Sequence, residues 1–265
     1  KQIFKDTALE NPSNGTIESI ENIKLKDIKK FLKETINLDN LIIVAGGDFE
    51  YKEFKKLIKP LVQSLPRGQK RELEKIAINS KVQEETLIKD TEQAYIYFGS
   101  SFDIDVKDEE VYIAKVASFI LGGSGFGSRL MEEIRVKRGL AYSAYGYISM
   151  NKSYSYFNGY LQTKNESAKE AQKLVKQIVK DFVKNGVTQE ELDAAKNFLT
   201  GSEPLRSETL SQRLNRSFSS FYRGLDQNQP KIELEKIQNL KLEDLNNYIK
   251  SHDEINNLTF SIVRK

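Results

Sequence analysis

Arg135 and Tyr142 close a run, Leu121-Gly-Gly-Ser-Gly-Phe-Gly-Ser-Arg-Leu-Met-Glu-Glu-Ile-Arg-Val-Lys-Arg-Gly-Leu-Ala-Tyr142, that packs a glycine turn, a short helix and a strand start into one stretch. A guanidinium and a phenol are hydrogen-bond donors suited to a peptide carbonyl or a developing oxyanion. Neither can break a bond by itself, so catalysis through them needs a nucleophile from elsewhere. By composition alone both are ordinary: an Arg in a basic helix end and a Tyr in a Tyr-rich sheet.

The surrounding residues supply the elements that must position the pair. Gly122, Gly123, Gly125 and Gly127 make a flexible turn, and Ser128 stands where an N-cap is expected. Leu130, Met131 and Ile134 give an apolar face at helical spacing. Lys137 and Arg138 fall in the last turn, where the helix dipole favours positive charge, and Gly139 is placed to stop the helix. Arg135 then projects near the helix end and Tyr142 near the start of the next strand, a junction tight enough to bring both side chains to one spot. Glu132 and Glu133 read as solvated first-turn acids.

Other chemistries fit less well. A P-loop needs a Lys where Ser128 stands, and a dinucleotide fingerprint needs a spacing that Gly123, Gly125 and Gly127, set by twos, do not have. Both motifs follow a strand, whereas this run follows a helix, so a helix–helix turn needing positive φ is the expectation. With no Cys and 1 His, the chain has no thiolate chemistry and no two-histidine site of its own. His252 is expected as an exposed loop residue. The 41 basic residues are offset by 38 acidic ones and spread along the chain, which gives nucleic-acid binding no support. No apolar run approaches a membrane span and no signal peptide opens the chain. A bacterial cytoplasm is expected ahead of the periplasm.

Taken in order, Ile17–Leu32 predicts one or two short helices, Asn40–Ala45 a strand, and Tyr51–Leu65 a helix. Residues 67–80 read as a linker. Glu85–Lys89 and Gln93–Ser100 predict strands, Asp108–Leu121 an amphipathic helix, and Ala141–Met150 and Tyr154–Thr163 a Tyr-rich strand pair. Ala168–Phe182 is a helix, Thr188-Gln-Glu-Glu is a capping box opening another, and Glu208–Gly224 is helical again. A helix over Leu242–Lys250 and a strand over Asn257–Val263 close the chain.

That closing unit repeats the first. With Ile20 set against Ile237, a shift of 217 residues, Lys24-Leu25 meets Lys241-Leu242, Asp27 meets Asp244, and Ile28, Phe31 and Leu32 meet Leu245, Tyr248 and Ile249 without a gap. At the strand, Asn40-Leu41 meets Asn257-Leu258. The expected organisation is α+β with tandem homologous domains, each a mostly antiparallel sheet covered by helices. Residues 1–66 would be the tail of a truncated first domain and residues 81–265 a complete second one. By the repeat, about 140 residues are expected ahead of Lys1.

The Leu121–Tyr142 run, with supporting similarity over Gly15–Phe49 and Val187–Gly224, resembles the pitrilysin-type (M16) zinc metallopeptidases, in the branch of the mitochondrial processing peptidase subunits and their bacterial relatives. The resemblance implies that zinc is held by a His-x-x-Glu-His helix and a downstream Glu in a preceding domain, and that this chain carries no metal or cofactor. It implies that Arg135 orients an extended peptide and that Tyr142 donates to the scissile carbonyl. It also implies a peptide substrate and a homodimer or heterodimer with another chain of this type. A non-catalytic partner subunit of such a heterodimer is the alternative.

Overall fold

The computed structural model describes residues 2–265. Short 3-10 turns at Gln2–Phe4 and Ala8–Glu10 lead into helices α1 (Ile17–Glu21), α2 (Leu25–Thr35) and α3 (Tyr51–Ser64). After a stretch free of helix and strand over residues 66–80 come strands β1 (Glu84–Ile88) and β2 (Gln93–Ser101). Helix α4 (Val111–Ser118) runs on into a π-helical turn, Phe119–Gly123. Helix α5 (Arg129–Met131) does the same through Glu132–Val136. Strands β3 (Ala141–Met150) and β4 (Ser155–Lys164) follow, then helices α6 (Ala168–Asn185), α7 (Gln189–Gly201), α8 (Leu210–Arg223), α9 (Gln229–Asn239) and α10 (Leu242–Ser251), and strand β5 (Thr259–Arg264).

The five strands form one sheet in the order β1-β5-β2-β4-β3. Only the β1–β5 pairing is parallel. Alternation decides which side is covered. Ala94, Ile96 and Phe98 of β2, Phe157 and Leu161 of β4, and Phe260 and Ile262 of β5 are buried under the helices. Helix α6 meets them with Ala171, Val175, Ile178, Val179 and Phe182, an i, i+3, i+4 stripe. Each such large side chain contributes about 1.5–3 kcal/mol by leaving water. The opposite side of the sheet is open and carries tyrosines.

The capping box at Thr188 is present: the Thr188 hydroxyl accepts from the Glu191 amide at 3.2 Å, and the Glu191 carboxylate accepts from the Thr188 amide at 2.8 Å. That carboxylate also receives the Arg129 guanidinium in a fork, Nε at 2.6 Å and a terminal nitrogen at 2.7 Å. A further Arg129 bond reaches the Gly186 carbonyl at 2.8 Å. Helix α5 is thereby tied to the start of α7. Burial pushes the Glu191 carboxyl up, but the Arg129 and Thr188 hydrogen bonds together outweigh it and hold the group below its ordinary value of 4.5. A carboxyl depressed by folding adds stability that is full above its unfolded pKa and is lost as pH falls through the lower folded value. Arg129→Ala should therefore cost about 2 kcal/mol at neutral pH, with the gap from wild type narrowing below pH 4.5. Melting temperatures across acid pH check this. A gap that stays constant would remove Glu191 as its cause.

Two helices keep the spacing read from the sequence. Helix α2 begins at Leu25 and α10 at Leu242, the same shift of 217 residues that aligns the sequences. Their environments differ sharply. On α10, Leu245, Tyr248 and Ile249 are buried, Tyr248 being 4% exposed. Their counterparts Ile28, Phe31 and Leu32 on α2 stand in the open, with Phe31 59% exposed. The strand expected over Asn40–Ala45 is not formed: Leu38–Asn40 is a 3-10 turn, and residues 41–46 run on without a ladder. A strand exists only with a paired neighbour. Its repeat mate β5 lies between β1 and β2, whereas no strand flanks residues 41–46. This segment packs on α8 instead, where a Cβ on Gly46 would stand 3.0 Å from Leu214 Cδ2.

Candidate functional site

The junction is built from both ends of the glycine run. At Gly122 the first π-helical turn lies so close to β3 that a Cβ would stand 2.5 Å from the Gly146 nitrogen. Ser118 locks the two elements by accepting from the buried Ile148 amide at 2.9 Å, which satisfies a donor on the sheet's edge strand. Gly125 and Gly127 have φ of 69° and 91° with open space around them, so glycine is needed there for backbone conformation alone. This is the positive-φ turn expected from the sequence. Ser128 occupies the N-cap position without making the cap bond; its hydroxyl donates back to the Gly125 carbonyl at 2.7 Å.

Leu130, Met131 and Ile134 are all buried, as their spacing requires. Gly139 takes a φ of 61°, and the amides of Gly139 and Leu140 bond the Arg135 and Ile134 carbonyls at 2.9 Å, ending the turn. Glu133 is not simply solvated. Lys137 and Arg138 each bond its carboxylate at 2.6 Å, and first the Lys137 and then the Arg138 hydrogen bond holds its carboxyl below the usual range.

A β-bulge then aims Tyr142. Ala141 pairs with Thr163 and Ala144 with Leu161, so β3 spends one residue more than β4 over that interval. In a regular ladder Tyr142 would stand opposite Thr163, on the helix-covered side. The bulge gives that place to Ala141, which is buried, and turns Tyr142 outward, where it is 81% exposed.

The structure brings the two sequence-predicted residues together. The Arg135 guanidinium carbon lies 4.4 Å from the Tyr142 ring centroid and 4.7 Å from that of Phe126. Arg129 and Arg138 spend their donors on Glu191 and Glu133, but Arg135 makes no side-chain hydrogen bond or ion pair among the described residues. Its in-plane N–H groups are available. Phe126 is the residue that spacing does not point to; the signal for it is an aromatic set between two glycines.

Beyond Tyr142, Tyr145 and Tyr147 of β3 face the same open side as Tyr97 and Tyr160, whose rings lie 4.7 Å apart. They line a concavity of about 350 Å³ with the Gln2–Phe4 turn across it. Main-chain bonding from the Asn79 amide to the Ile3 carbonyl, at 2.8 Å, helps hold that turn.

His252 is not exposed. It stacks on Phe102 at 4.5 Å, packs on Tyr248 at 4.4 Å and bonds Glu254 through Nδ1 at 2.7 Å. Among the described residues no group of His, Asp or Glu is gathered to hold a metal ion. Nor is any helix among them long and apolar enough to cross a membrane.

Known proteins share this architecture. The model of the peptidase M16 inactive domain matches residues 22–199. The chain is 45% identical over 263 residues to the non-peptidase homolog YmxG of Helicobacter pylori, covering 99% of this chain and 61% of that protein. It is 26% identical over 226 residues to an uncharacterized zinc protease of Streptomyces coelicolor, covering 81% of this chain and 48% of the relative. Among solved structures, a peptidase M16 inactive domain from Pseudomonas fluorescens superposes with a TM-score of 0.90 at 25% identity, over 100% of this chain and 63% of that one.

Proposed function

Since the chain belongs to the peptidase M16 family, in the part described as its inactive domain, we propose that it is the peptide-holding half of an M16-type assembly and does not itself cut. The observation that supports this most is the unspent guanidinium of Arg135 beside the exposed phenol of Tyr142. Both are donors, and both stand at the rim of an open sheet face lined by tyrosines. An extended peptide offers a backbone carbonyl every residue, which a planar guanidinium can receive through its in-plane N–H groups. Arg135 would fix the peptide's backbone, and Tyr142 would donate to the carbonyl oxygen as negative charge develops on it.

In this reading residues 1–66 belong to the end of a preceding homologous domain, residues 67–80 are a linker, and residues 81–265 are the second domain. The exposed apolar stripe of α2 supports that division, because its repeat mate on α10 is buried under a complete fold. Zinc, where the whole protein holds it, would be held by that preceding domain. The expected partner is a second M16-type chain, identical or homologous.

A second reading has its own support. The Helicobacter pylori relative is called a non-peptidase homolog, and by analogy the whole protein would hold peptides without cleaving them. Turnover separates the two. In the longer protein, Tyr142→Phe is expected to lower peptide hydrolysis about a hundredfold with little change in melting temperature. Wild-type protein that binds peptide but never cleaves it selects the non-catalytic reading. A cleaving protein indifferent to Tyr142→Phe would return Tyr142 to a purely structural place.

A further inference from the structure

We propose that Phe126 is a positioning residue that clamps the Arg135 guanidinium against Tyr142, so that only the edge of the group meets a bound peptide. The proposal rests on the peptide-holding reading above and names the device that makes it work.

Three observations carry it. The guanidinium carbon lies within contact of two rings, 4.7 Å from the Phe126 centroid and 4.4 Å from that of Tyr142. Aromatic faces attract a cation, and Arg stacks on them through its flat faces. A guanidinium that spends its faces on rings keeps its in-plane N–H fork free, and that is the part suited to a carbonyl. Second, Phe126 is 68% exposed, so it is held over Arg135 by the backbone and not by core packing. Gly125 and Gly127 on either side both have positive φ, and a Cβ added at either would meet nothing within 4 Å. The glycines at these two positions thus serve to carry the ring. Third, Arg129 and Arg138 of the same junction are anchored by carboxylates, whereas Arg135 has no acidic partner among the described residues. A long side chain without an anchor loses rotamer freedom on binding. Contact with two rings reduces that loss before the peptide arrives.

The test is made in the protein that carries this chain, with a fluorescein-labelled, unstructured peptide of alanine, leucine and serine. Two readouts are taken: the dissociation constant, and the NMR shift of the Arg135 Nε proton. In the wild type, ring currents should move that proton upfield of a free arginine. Phe126→Leu should return it toward the free position and weaken binding about three- to tenfold, with the melting temperature kept. Phe126→Tyr should restore both. Binding that ignores Phe126→Leu, or an Nε shift that does not move, overturns the clamp alone. Wild-type protein that does not bind the peptide overturns the peptide-holding reading, and the purpose of the clamp with it.

Discussion

Arg135→Ala is expected to weaken binding of an extended peptide by about ten- to a hundredfold while leaving the melting temperature nearly unchanged. The size follows from losing one or two charge-assisted hydrogen bonds to a desolvated carbonyl. The small stability effect follows from position: Arg135 has no carboxylate among the described residues to orphan, and the rings it touches are exposed. Arg135→Lys should not restore affinity, because an ammonium offers a point charge in place of a planar fork and stacks poorly on the two rings. Salt sharpens the result. A carbonyl acceptor is neutral, so wild-type affinity should depend only weakly on ionic strength. A steep fall with salt would mean that Arg135 holds a carboxylate instead. Unchanged affinity in Arg135→Ala would remove the residue from the site.

Gly122→Ala is expected to be the more damaging change to the fold, at about 3 kcal/mol or more. The added Cβ would stand 2.5 Å from the Gly146 nitrogen, 2.6 Å from its oxygen and 2.7 Å from Leu130 Cδ1. Two of these are backbone atoms of β3, which cannot swing aside as a side chain can. The space around Gly146 is already filled on this side, since a Cβ on it would itself stand 2.8 Å from the Phe157 ring and 3.0 Å from Leu130 Cδ1. The relief has to come from prising the π-helical turn off the strand, and that shifts the platform of Arg135 relative to Tyr142. Peptide binding should therefore fall along with stability. Gly127→Ala is the control. It meets no atom within 4 Å and has only its φ of 91° against it, a cost of about 1–2 kcal/mol. Urea unfolding of both variants decides the point, and equal losses would refute the close-approach account.

Much of the junction is legible in the sequence because it is local. Helical spacing places Leu130, Met131 and Ile134 in the core, and the glycines mark a turn of positive φ. The capping box at Thr188 is readable for the same reason, as two side chains three residues apart satisfy each other. What the sequence hides are contacts that only the folded chain creates. Residues 41–45 have a strand's composition, but a strand needs neighbours, and pairing is not written in the segment itself. His252 reads as a loop residue, yet Phe102, distant in sequence, supplies the surface that covers it. Helix α9 gives little periodic signal because its charged residues mask a short apolar face in which Ile237 is buried. The spacing shared by α2 and α10 is the exception among long-range features, since the matching letters of Leu25 and Leu242 stand the same 217 residues apart as the two helix starts.

The bulge between Ala141 and Ala144 has a consequence for how this junction is compared across a family. One residue of strand length decides whether the phenol of Tyr142 looks out over the open sheet or into the helix layer. Removing a residue there would leave every letter of the site in place and still turn its hydroxyl away. The position of this hydroxyl therefore depends on a count as much as on an identity. A relative that keeps the Arg and the Tyr but shortens the strand by one has kept the spelling and lost the word.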